Sequence, residues 1–234
     1  MNKLMDYLTN DERGQKAYAI GFLVSGVLLS ILISVLFFDP QTSTVWFEAF
    51  KLAVACGGYL CVYLLAIRRN SGNVTGFVVN IGEIIIQASY GAFGLAINPI
   101  FYGATHLWGM IAWNKSKQDD GTIQTKKAHK VGLVVSGIFL VIAAAIVGYL
   151  WFNGYFVEMT GMFIGLNILA IILGTIAQGT MIAQFKFAWW FWFASNIVWF
   201  IINVTTGNAI FALQTVLYQV NVVFALYDQY KNNK

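Results

Sequence analysis

Apolar segments long enough to cross a bilayer follow one another along almost the whole chain. A membrane-spanning helix needs roughly 20 predominantly apolar residues. Eight such segments are predicted, at 17–38, 46–67, 74–95, 97–113, 131–152, 157–183, 187–204 and 207–227. Only 10% of the residues are charged, against about 25% in soluble domains. The sequence therefore predicts an all-α integral membrane protein with eight transmembrane helices.

Basic residues lie between these segments in a one-sided pattern. If the N-terminus is inside and the loops alternate, all of the 14 Lys and Arg residues except Lys51 fall on the inner side. Cytoplasmic loops are enriched in Lys and Arg. The pattern predicts a multi-pass protein of the cell inner (plasma) membrane, with both termini and the long hydrophilic loop 114–130 in the cytoplasm.

A weak internal repeat relates the two halves of the chain. A shift of 116 residues superposes Gly58 on Gly174, Phe77 on Phe193 and Asn80 on Asn196. The pattern predicts one N-terminal helix plus a 3+1+3 parallel repeat, an arrangement in which substrates bind between the repeats near the middle of the membrane. The predicted segments are the N-terminal segment and extra helix 1–44, the first three-helix repeat 45–113, the cytoplasmic loop and inversion linker helix 114–156, and the second repeat with the C-terminal tail 157–234.

Several kinds of chemistry are not expected from this sequence. Intramembrane hydrolysis needs a nucleophile and base, paired aspartates or an H-E-x-x-H metal site, and none of these spacings occurs. The only histidines are His106 and His129, and the Cys56–Cys61 spacing places the two thiols near opposite faces of one helix. We therefore expect no enzyme activity, no metal, no cofactor and no nucleic-acid partner.

Polar and aromatic residues recur every three or four positions in five of the six repeat helices, which places them on one face of each helix. Such groups usually face the bundle interior or a watery cavity. They are Asn80, Glu83, Gln87 and Tyr90 in the third span; Asn98, Tyr102, Thr105, His106 and Trp113 in the fourth; Asn167, Thr175 and Gln178 in the sixth; Trp189, Trp192, Asn196, Trp199 and Asn203 in the seventh; and Gln214, Tyr218 and Asn221 in the eighth. Convergence of amides and indoles predicts a pocket for an aromatic, hydroxylated solute.

Structural roles for the same residues remain open alternatives. Asn, Gln and Thr also join membrane helices through interhelical hydrogen bonds, and Trp and Tyr form interfacial belts. Trp199 is expected to pack, and His106 to be a neutral, hydrogen-bonded core histidine. Glu83, the one acidic residue deep in a span, is interpreted as a structural carboxyl, a counter-charge for a cationic substrate or a coupling proton site.

Two motifs resemble the signature of the PnuC-type vitamin transporters, the nicotinamide riboside permeases. One is Ile176-Ala177-Gln178 followed by Gln184, and the other is Trp189-x-x-Trp192-x-x-x-Asn196. The first half agrees through 73–80 and 109–113, and Gln214 occupies a matching polar position in the last helix. The resemblance extends from about residue 45 to the C-terminus. Glu83 and His106 depart from the family's pattern.

The resemblance implies a SWEET-like fold, homotrimers, and facilitated diffusion of an unphosphorylated vitamin precursor that a cytosolic kinase then traps. Carried over residue by residue, the substrate site contains Gln178, Trp189, Trp192, Asn196, Gln214 and Asn80. The helix faces add Glu83, Gln87, Tyr218 and Asn221.

The expected substrate is nicotinamide riboside, because its cationic ring suits Trp faces and its hydroxyls suit amides. Thiamine, riboflavin and (deoxy)nucleosides remain alternatives, and ion coupling stays open. An integral-membrane enzyme or a receptor is the alternative from another class.

Overall fold

A computed structural model describes residues 2–41, 43–89, 97–126, 130–157 and 159–232; the side chains of Asn2, Asn10, Gln87, Lys231 and Asn232 are not described. Helices joined by short connections make up these ranges. In chain order they are α1 Asn2–Asn10, α2 Glu12–Leu36, α3 Val45–Ala66, α4 Ser71–Ser89, α5 Ile97–Lys115, α6 Lys130–Phe152, α7 Gly161–Ile182, α8 Ala188–Thr205, α9 Ala209–Tyr227 and a short π-helix, Asp228–Asn232.

Each predicted span overlaps one of the long helices α2 to α9, and residues 90–95 of the third span lie outside the described residues. Six of these, α2, α3, α6, α7, α8 and α9, are long and apolar enough to cross a membrane. The described parts of α4 and α5 are 19 residues each and more polar, because they carry Asn80, Glu83, Asn98 and His106. The all-helical membrane fold is confirmed, with six candidate spans.

Six helices form a closed ring, and its interior is where the polar faces meet. Helix α3 packs against α4, α4 against α5, α5 against α7, α7 against α8, α8 against α9, and α9 against α3. Helix α6 packs on the outside of α7, and α2 packs on α3 and α9. Helices α4 and α8 therefore lie on opposite sides of the ring, and outward-facing apolar residues such as Leu133, Val141 and Phe152 are exposed, as is required for contact with lipid.

Helices α3 and α7 begin and end in the same way. Each is 22 residues long, and each begins after a threonine whose hydroxyl accepts a hydrogen bond from a phenylalanine N–H three residues on: Thr44 with Phe47 N, and Thr160 with Phe163 N. Such N-caps stabilise a helix start by about 1 kcal/mol. The two caps lie 116 residues apart, as do the two helix ends.

Both helices end in a Schellman motif whose turning residue is not glycine. Arg68 has φ 61° and Gln184 has φ 71°, a left-handed conformation that costs a side-chain-bearing residue roughly 1–2 kcal/mol. In the second motif the Phe185 N–H donates to Thr180 O and the Gln184 N–H to Met181 O. The first motif makes the equivalent bonds 116 residues earlier. The sequence reading did not foresee these turns.

The end of the ring that carries both turns, here called the basic end, is tied together by two further segments. In the α5–α6 loop, Ile123 N–H donates to Arg68 O, and Lys126 N–H donates to Gln184 O. After α9, Lys186 Nζ donates to Gln229 O at 2.9 Å, and Arg68 lies 3.7 Å from Asp228. Contact among these loops agrees with the prediction that they share one side of the membrane.

Two glycines let helices of opposite halves approach closely. The Tyr218 hydroxyl of α9 lies against Gly58 of α3, and the Tyr102 hydroxyl of α5 lies against Gly174 of α7, so that a Cβ at either glycine would clash with a phenol oxygen. The two glycines are 116 residues apart, and so are the two tyrosines. Each half thus covers the first helix of the other with a tyrosine.

Candidate functional site

Gln178 of α7 is buried at the boundary with α5. Its Nε2 donates to Thr105 Oγ1 at 3.0 Å and lies 3.3 Å from His106 Nε2. Among the described residues, none donates to its Oε1. The predicted site residue is therefore held from one side only, by two residues of the opposite half.

A chain of polar side chains continues from His106 towards the basic end. His106 Nδ1 lies 3.0 Å from Asn73 Oδ1, Asn73 Nδ2 donates to Asn70 Oδ1 at 2.9 Å, and Asn70 Nδ2 donates to the Met110 carbonyl at 2.9 Å. Asn73 is fully buried and His106 is 4% exposed. The imidazole also fills the space over Gly76, where a Cβ would clash with it. His106 is thus the neutral, hydrogen-bonded core histidine that was expected, but it also contacts a predicted site residue.

Eight buried side-chain oxygen atoms have no hydrogen-bond partner in the described part of the chain, and four of them lie on helices of the ring. These four belong to different helices and are Asn80 Oδ1, Tyr102 Oη, Thr175 Oγ1 and Ser195 Oγ. Buried polar groups are nearly always paired. Their convergence from α4, α5, α7 and α8 therefore indicates a place for a polar ligand or water.

Asn80 and Asn196 present the same chemistry from opposite helices. Asn80 Nδ2 donates to Gly76 O at 2.7 Å, which leaves its carbonyl oxygen unpartnered. Asn196 Nδ2 donates to Gln219 Oε1 at 3.2 Å, and Gln219 Nε2 donates to Phe193 O at 3.3 Å. Each amide thus uses one of its two N–H donors within the protein.

The two predicted stacking indoles occupy different surroundings. The ring of Trp192 lies 6.0 Å from that of Tyr102, inclined by 62°, and is partly exposed. Trp189 is 4% exposed and packs in an apolar cluster with Trp113, Met181 and other buried residues. Trp192 also packs against this cluster, but its partial exposure and its contact with Tyr102 place it at the border of the polar interior, whereas Trp189 lies within the cluster. Trp199 packs with Ala170, Val198 and Ile202, as expected for a packing residue.

The remaining predicted site residues divide between the ring interior and the α3–α9 contact. Gln214 donates to Ala55 O at 3.4 Å beside Gly58, next to the Tyr218 hydroxyl. Asn221 is fully buried and ties α9 to Val62 O and to the Tyr18 hydroxyl of α2. Asn221 thus makes an interhelical bond. The side chain of Gln87, like Tyr90, lies outside the described residues.

Glu83 lies one turn beyond Asn80 on α4. Its carboxyl lies within electrostatic range of the hydroxyls of Tyr102 and Tyr218, which belong to opposite halves. No hydrogen bond or ion pair to this carboxyl is found in the ranges that the structure covers. A carboxyl that has no partner among the described residues and lies within electrostatic range of hydroxyls of both halves is a suitable partner for a cation.

Sequence reasoning missed Asn70, Asn73, Gln219 and Ser195 as parts of this interior. A signal existed for Asn73, which lies seven residues before Asn80 and therefore on the same helix face. Gln219 and Ser195 each lie next to a predicted site residue, but one step around the helix, so that their spacing does not mark them. A separate surface pocket, lined in part by Asp39, Glu48 and Asn208, lies at the opposite end of the ring from the basic end.

A ring of apolar helices around a polar interior is the architecture of a multi-pass membrane protein. The family described as nicotinamide mononucleotide transporter matches residues 45–231, and the chain belongs to this family. Because the family consists of transporters, the expectation that the chain is not an enzyme is confirmed, as is the PnuC-type resemblance.

Two relatives agree with this assignment. The curated nicotinamide riboside transporter PnuC of Neisseria mucosa is 22% identical over 173 residues, which cover 74% of this chain and 64% of that protein. The chain thus matches somewhat less than two thirds of that relative's length. The crystal structure of the vitamin B3 transporter PnuC superposes with a TM-score of 0.69 at 15% identity, covering 92% of this chain and 91% of that one, and supports the same fold.

Proposed function

We propose that the protein imports nicotinamide riboside through the ring interior by facilitated diffusion, and that a cytosolic kinase then traps the product. The observation that carries this proposal is the Glu83 carboxyl, which has no partner among the described residues and lies on the same face of α4 as the unpartnered Asn80 Oδ1. Nicotinamide riboside is a planar cation with several hydroxyl donors. Its charge matches Glu83, and its donors match the amide oxygens.

The same polarity favours the riboside over its 5′-phosphate. A phosphate is bound best by cationic side chains or several N–H donors, and Asn80 and Asn196 each already use one N–H within the protein. Lys51 of α3, within a turn or two of the level of Glu83, is ion-paired with Glu48. A phosphorylated ligand would therefore bring negative charge against carbonyl oxygens and a carboxyl.

Trp192 provides the aromatic surface of the proposed site. A cation over an indole face gains about 0.5–2 kcal/mol, and more when water is excluded. Trp192 adjoins Tyr102, one of the tyrosines within electrostatic range of Glu83. Of the other predicted residues, Gln178, Gln214, Tyr218 and Gln87 are proposed to line the path, with Trp189 and Asn221 supporting it from the adjoining packing.

The parallel repeat is proposed as the framework of this path. The equal helices α3 and α7, their matching caps and turns, and the reciprocal glycine–tyrosine contacts support a relation of the halves 45–113 and 157–234 about an axis along the membrane normal. Eight spans, cytoplasmic termini and a SWEET-like homotrimer complete the proposed arrangement. Light scattering of the detergent-solubilised protein should give a trimer mass, and a monomer would contradict that part.

Binding to purified protein tests the substrate. Tryptophan fluorescence should report saturable binding of nicotinamide riboside, with nicotinamide mononucleotide at least about tenfold weaker because its phosphate brings negative charge near the Glu83 carboxyl. Equal or tighter binding of the mononucleotide would contradict the proposal. Thiamine belongs in the same competition series, because it is also cationic and aromatic and would also suit Glu83; riboflavin and deoxynucleosides serve as neutral competitors.

Flux in liposomes tests the mode of transport. With a substrate gradient alone, the inside concentration should rise to the outside value and no further, because acidic or basic groups are rare in the middle turns of the described ring helices. Accumulation above that value on imposing a proton or sodium gradient would contradict uniport. Its loss in Glu83→Gln would then identify the coupling site.

A further inference from the structure

The hydrogen bonds that link the Met110 carbonyl to Gln178 all run in one donor-to-acceptor direction. The carbonyl at the Met110 end sets that direction. A backbone carbonyl can only accept, so Asn70 must present Nδ2 to Met110 O. Its Oδ1 then faces Asn73, which must present Nδ2 in return. As a result Asn73 Oδ1 faces His106 Nδ1, and Nδ1 must carry a proton to donate to it.

His106 transmits this direction to Gln178. The imidazole is buried and its two nitrogens contact amides, and a charged group buried without a counter-charge costs several kcal/mol. Described residues facing the ring are neutral: Asn73 and Gly76 from α4, Gln178 from α7, and Thr105 on its own helix. With the proton on Nδ1, Nε2 holds a lone pair, which accepts from Gln178 Nε2 and repels Gln178 Oε1.

Thr105 alone could not impose this orientation. Its hydroxyl donates to Tyr102 O at 2.8 Å and accepts from Gln178 Nε2. A hydroxyl can rotate, however, and could equally donate to Oε1 if the amide were reversed. A neutral imidazole with a fixed Nδ1 proton has no such freedom. The orientation of Gln178 is therefore decided by His106 and, behind it, by Asn73.

We propose that His106 is a positioning residue that locks the Gln178 amide with its carbonyl oxygen towards the ligand, so that the site selects a carboxamide on the substrate ring and rejects a carboxylate. This inference rests on the proposed function. A carboxamide donates N–H to Gln178 Oε1, whereas a carboxylate places two acceptor oxygens against it. The protein thus distinguishes nicotinamide riboside from nicotinic acid riboside through His106, which touches neither riboside.

The test compares the dissociation constants of these two ribosides, measured by tryptophan fluorescence on purified protein. The parent should prefer the amide by about tenfold or more. His106→Leu should reduce that ratio at least several-fold, mainly by improving binding of the acid, because the Gln178 amide can then reverse. Asn73→Leu should do the same with the imidazole still in place over Gly76, since the Nδ1 proton is no longer required.

Two matched variants should keep the parent ratio. Thr105→Val removes a partner of Gln178 but keeps the His106 imidazole that sets the orientation of its amide. His106→Gln supplies one N–H for Asn73 and one carbonyl for Gln178. A purely packing role for His106 would lower both affinities together and leave the ratio unchanged.

The outcomes separate the two proposals. An unchanged ratio in folded His106→Leu, or in Asn73→Leu if His106→Leu does not fold, overturns the positioning role. A parent protein that binds both ribosides equally overturns it as well. A parent that binds neither riboside overturns the proposed function instead.

Discussion

The two three-helix halves share their backbone features but differ in the side chains that they turn towards the interior. Asn73 and Gly76 of α4 correspond, 116 positions later, to Trp189 and Trp192 of α8. Asn73 and Gly76 receive the imidazole of His106, whereas the corresponding position of α9 holds the apolar Val222. One half supplies a hydrogen-bonded chain and the other an aromatic wall, as suits a ligand that has a flat ring and a hydroxylated sugar.

Asn80 and Asn196 are an exception, because they are identical at equivalent positions. Each uses one N–H within the protein, although with a different acceptor, Gly76 O for Asn80 and Gln219 Oε1 for Asn196. The shared caps and turns satisfy backbone requirements that both halves have in common. The divergent residues adjoin the proposed site, whose ligand has no such symmetry.

Disturbing one glycine–tyrosine contact should produce the largest effect. Gly174→Ala places a methyl group against the Tyr102 hydroxyl, and overpacking of this kind costs about 1–3 kcal/mol. Thermal unfolding in detergent should show a clear loss of stability. Tyr102→Phe in the same protein should restore much of it, whereas Tyr218→Phe should not. If Tyr218→Phe restored stability as well as Tyr102→Phe does, the pairwise contact would be contradicted.

Replacing the equivalent asparagines tests whether both halves contact the ligand. Asn196→Leu and Asn80→Leu each remove a carbonyl acceptor and add an apolar branch, and we expect each to weaken nicotinamide riboside binding by about 1–3 kcal/mol, or roughly tenfold to a hundredfold. Titration by fluorescence measures both. If Asn80→Leu binds like the parent, the first half does not form this part of the site.

Changing the aromatic residues of the second half should lower the affinity for nicotinamide riboside by a smaller amount. Trp192→Ala removes a stacking surface of about 0.5–2 kcal/mol and should weaken binding up to about thirtyfold while the protein still folds. Trp199→Phe is the matched control, because Trp199 packs with Ala170, Val198 and Ile202, and it should bind like the parent. Calorimetric titration avoids dependence on the indole signal. If Trp192→Ala bound like the parent and Trp199→Phe lost binding, the face of α8 that borders the site would be misassigned.

Topology can be tested with almost no functional effect. In a background lacking Cys56 and Cys61, a cysteine at Gln118 should resist impermeant thiol reagents in intact cells, because the α5–α6 loop joins the basic turns of both halves. A cysteine at Asn153, at the opposite end of α6, should react without lysis. Reaction of Gln118→Cys in intact cells would contradict the cytoplasmic placement of the basic end.

The sequence predicted the positions of the long helices because apolar runs and polar spacing mark them directly. It missed α1, and it placed the start of α2 at residue 17, whereas the helix begins at Glu12. Asp11 explains this earlier start, since its carboxyl accepts hydrogen bonds from the Arg13 and Gly14 N–H groups. Polar residues that continue a helix beyond the bilayer give no hydropathy signal.

The site could be predicted in part. Helical spacing identified Gln178, Asn80 and Asn196, because residues three or four apart share a face. It could not tell Trp192 from Trp189, because both share a helix face and pack on the same apolar cluster, and only their burial and the contact of Trp192 with Tyr102 separate them. The link from Asn73 through His106 to Gln178 crosses three helices, and long-range pairing of this kind has no local pattern.

The crossed glycine–tyrosine contacts also affect how the chain can be made. Gly58 emerges from the ribosome 160 residues before Tyr218, the side chain that covers it. At roughly 5–20 residues per second, this delay is about 8–32 s, during which that surface of α3 has no native neighbour. Tyr102 is likewise synthesised before Gly174, the residue that it contacts. Assembly of the ring is therefore a late event in biosynthesis, completed when the last helix enters the bilayer.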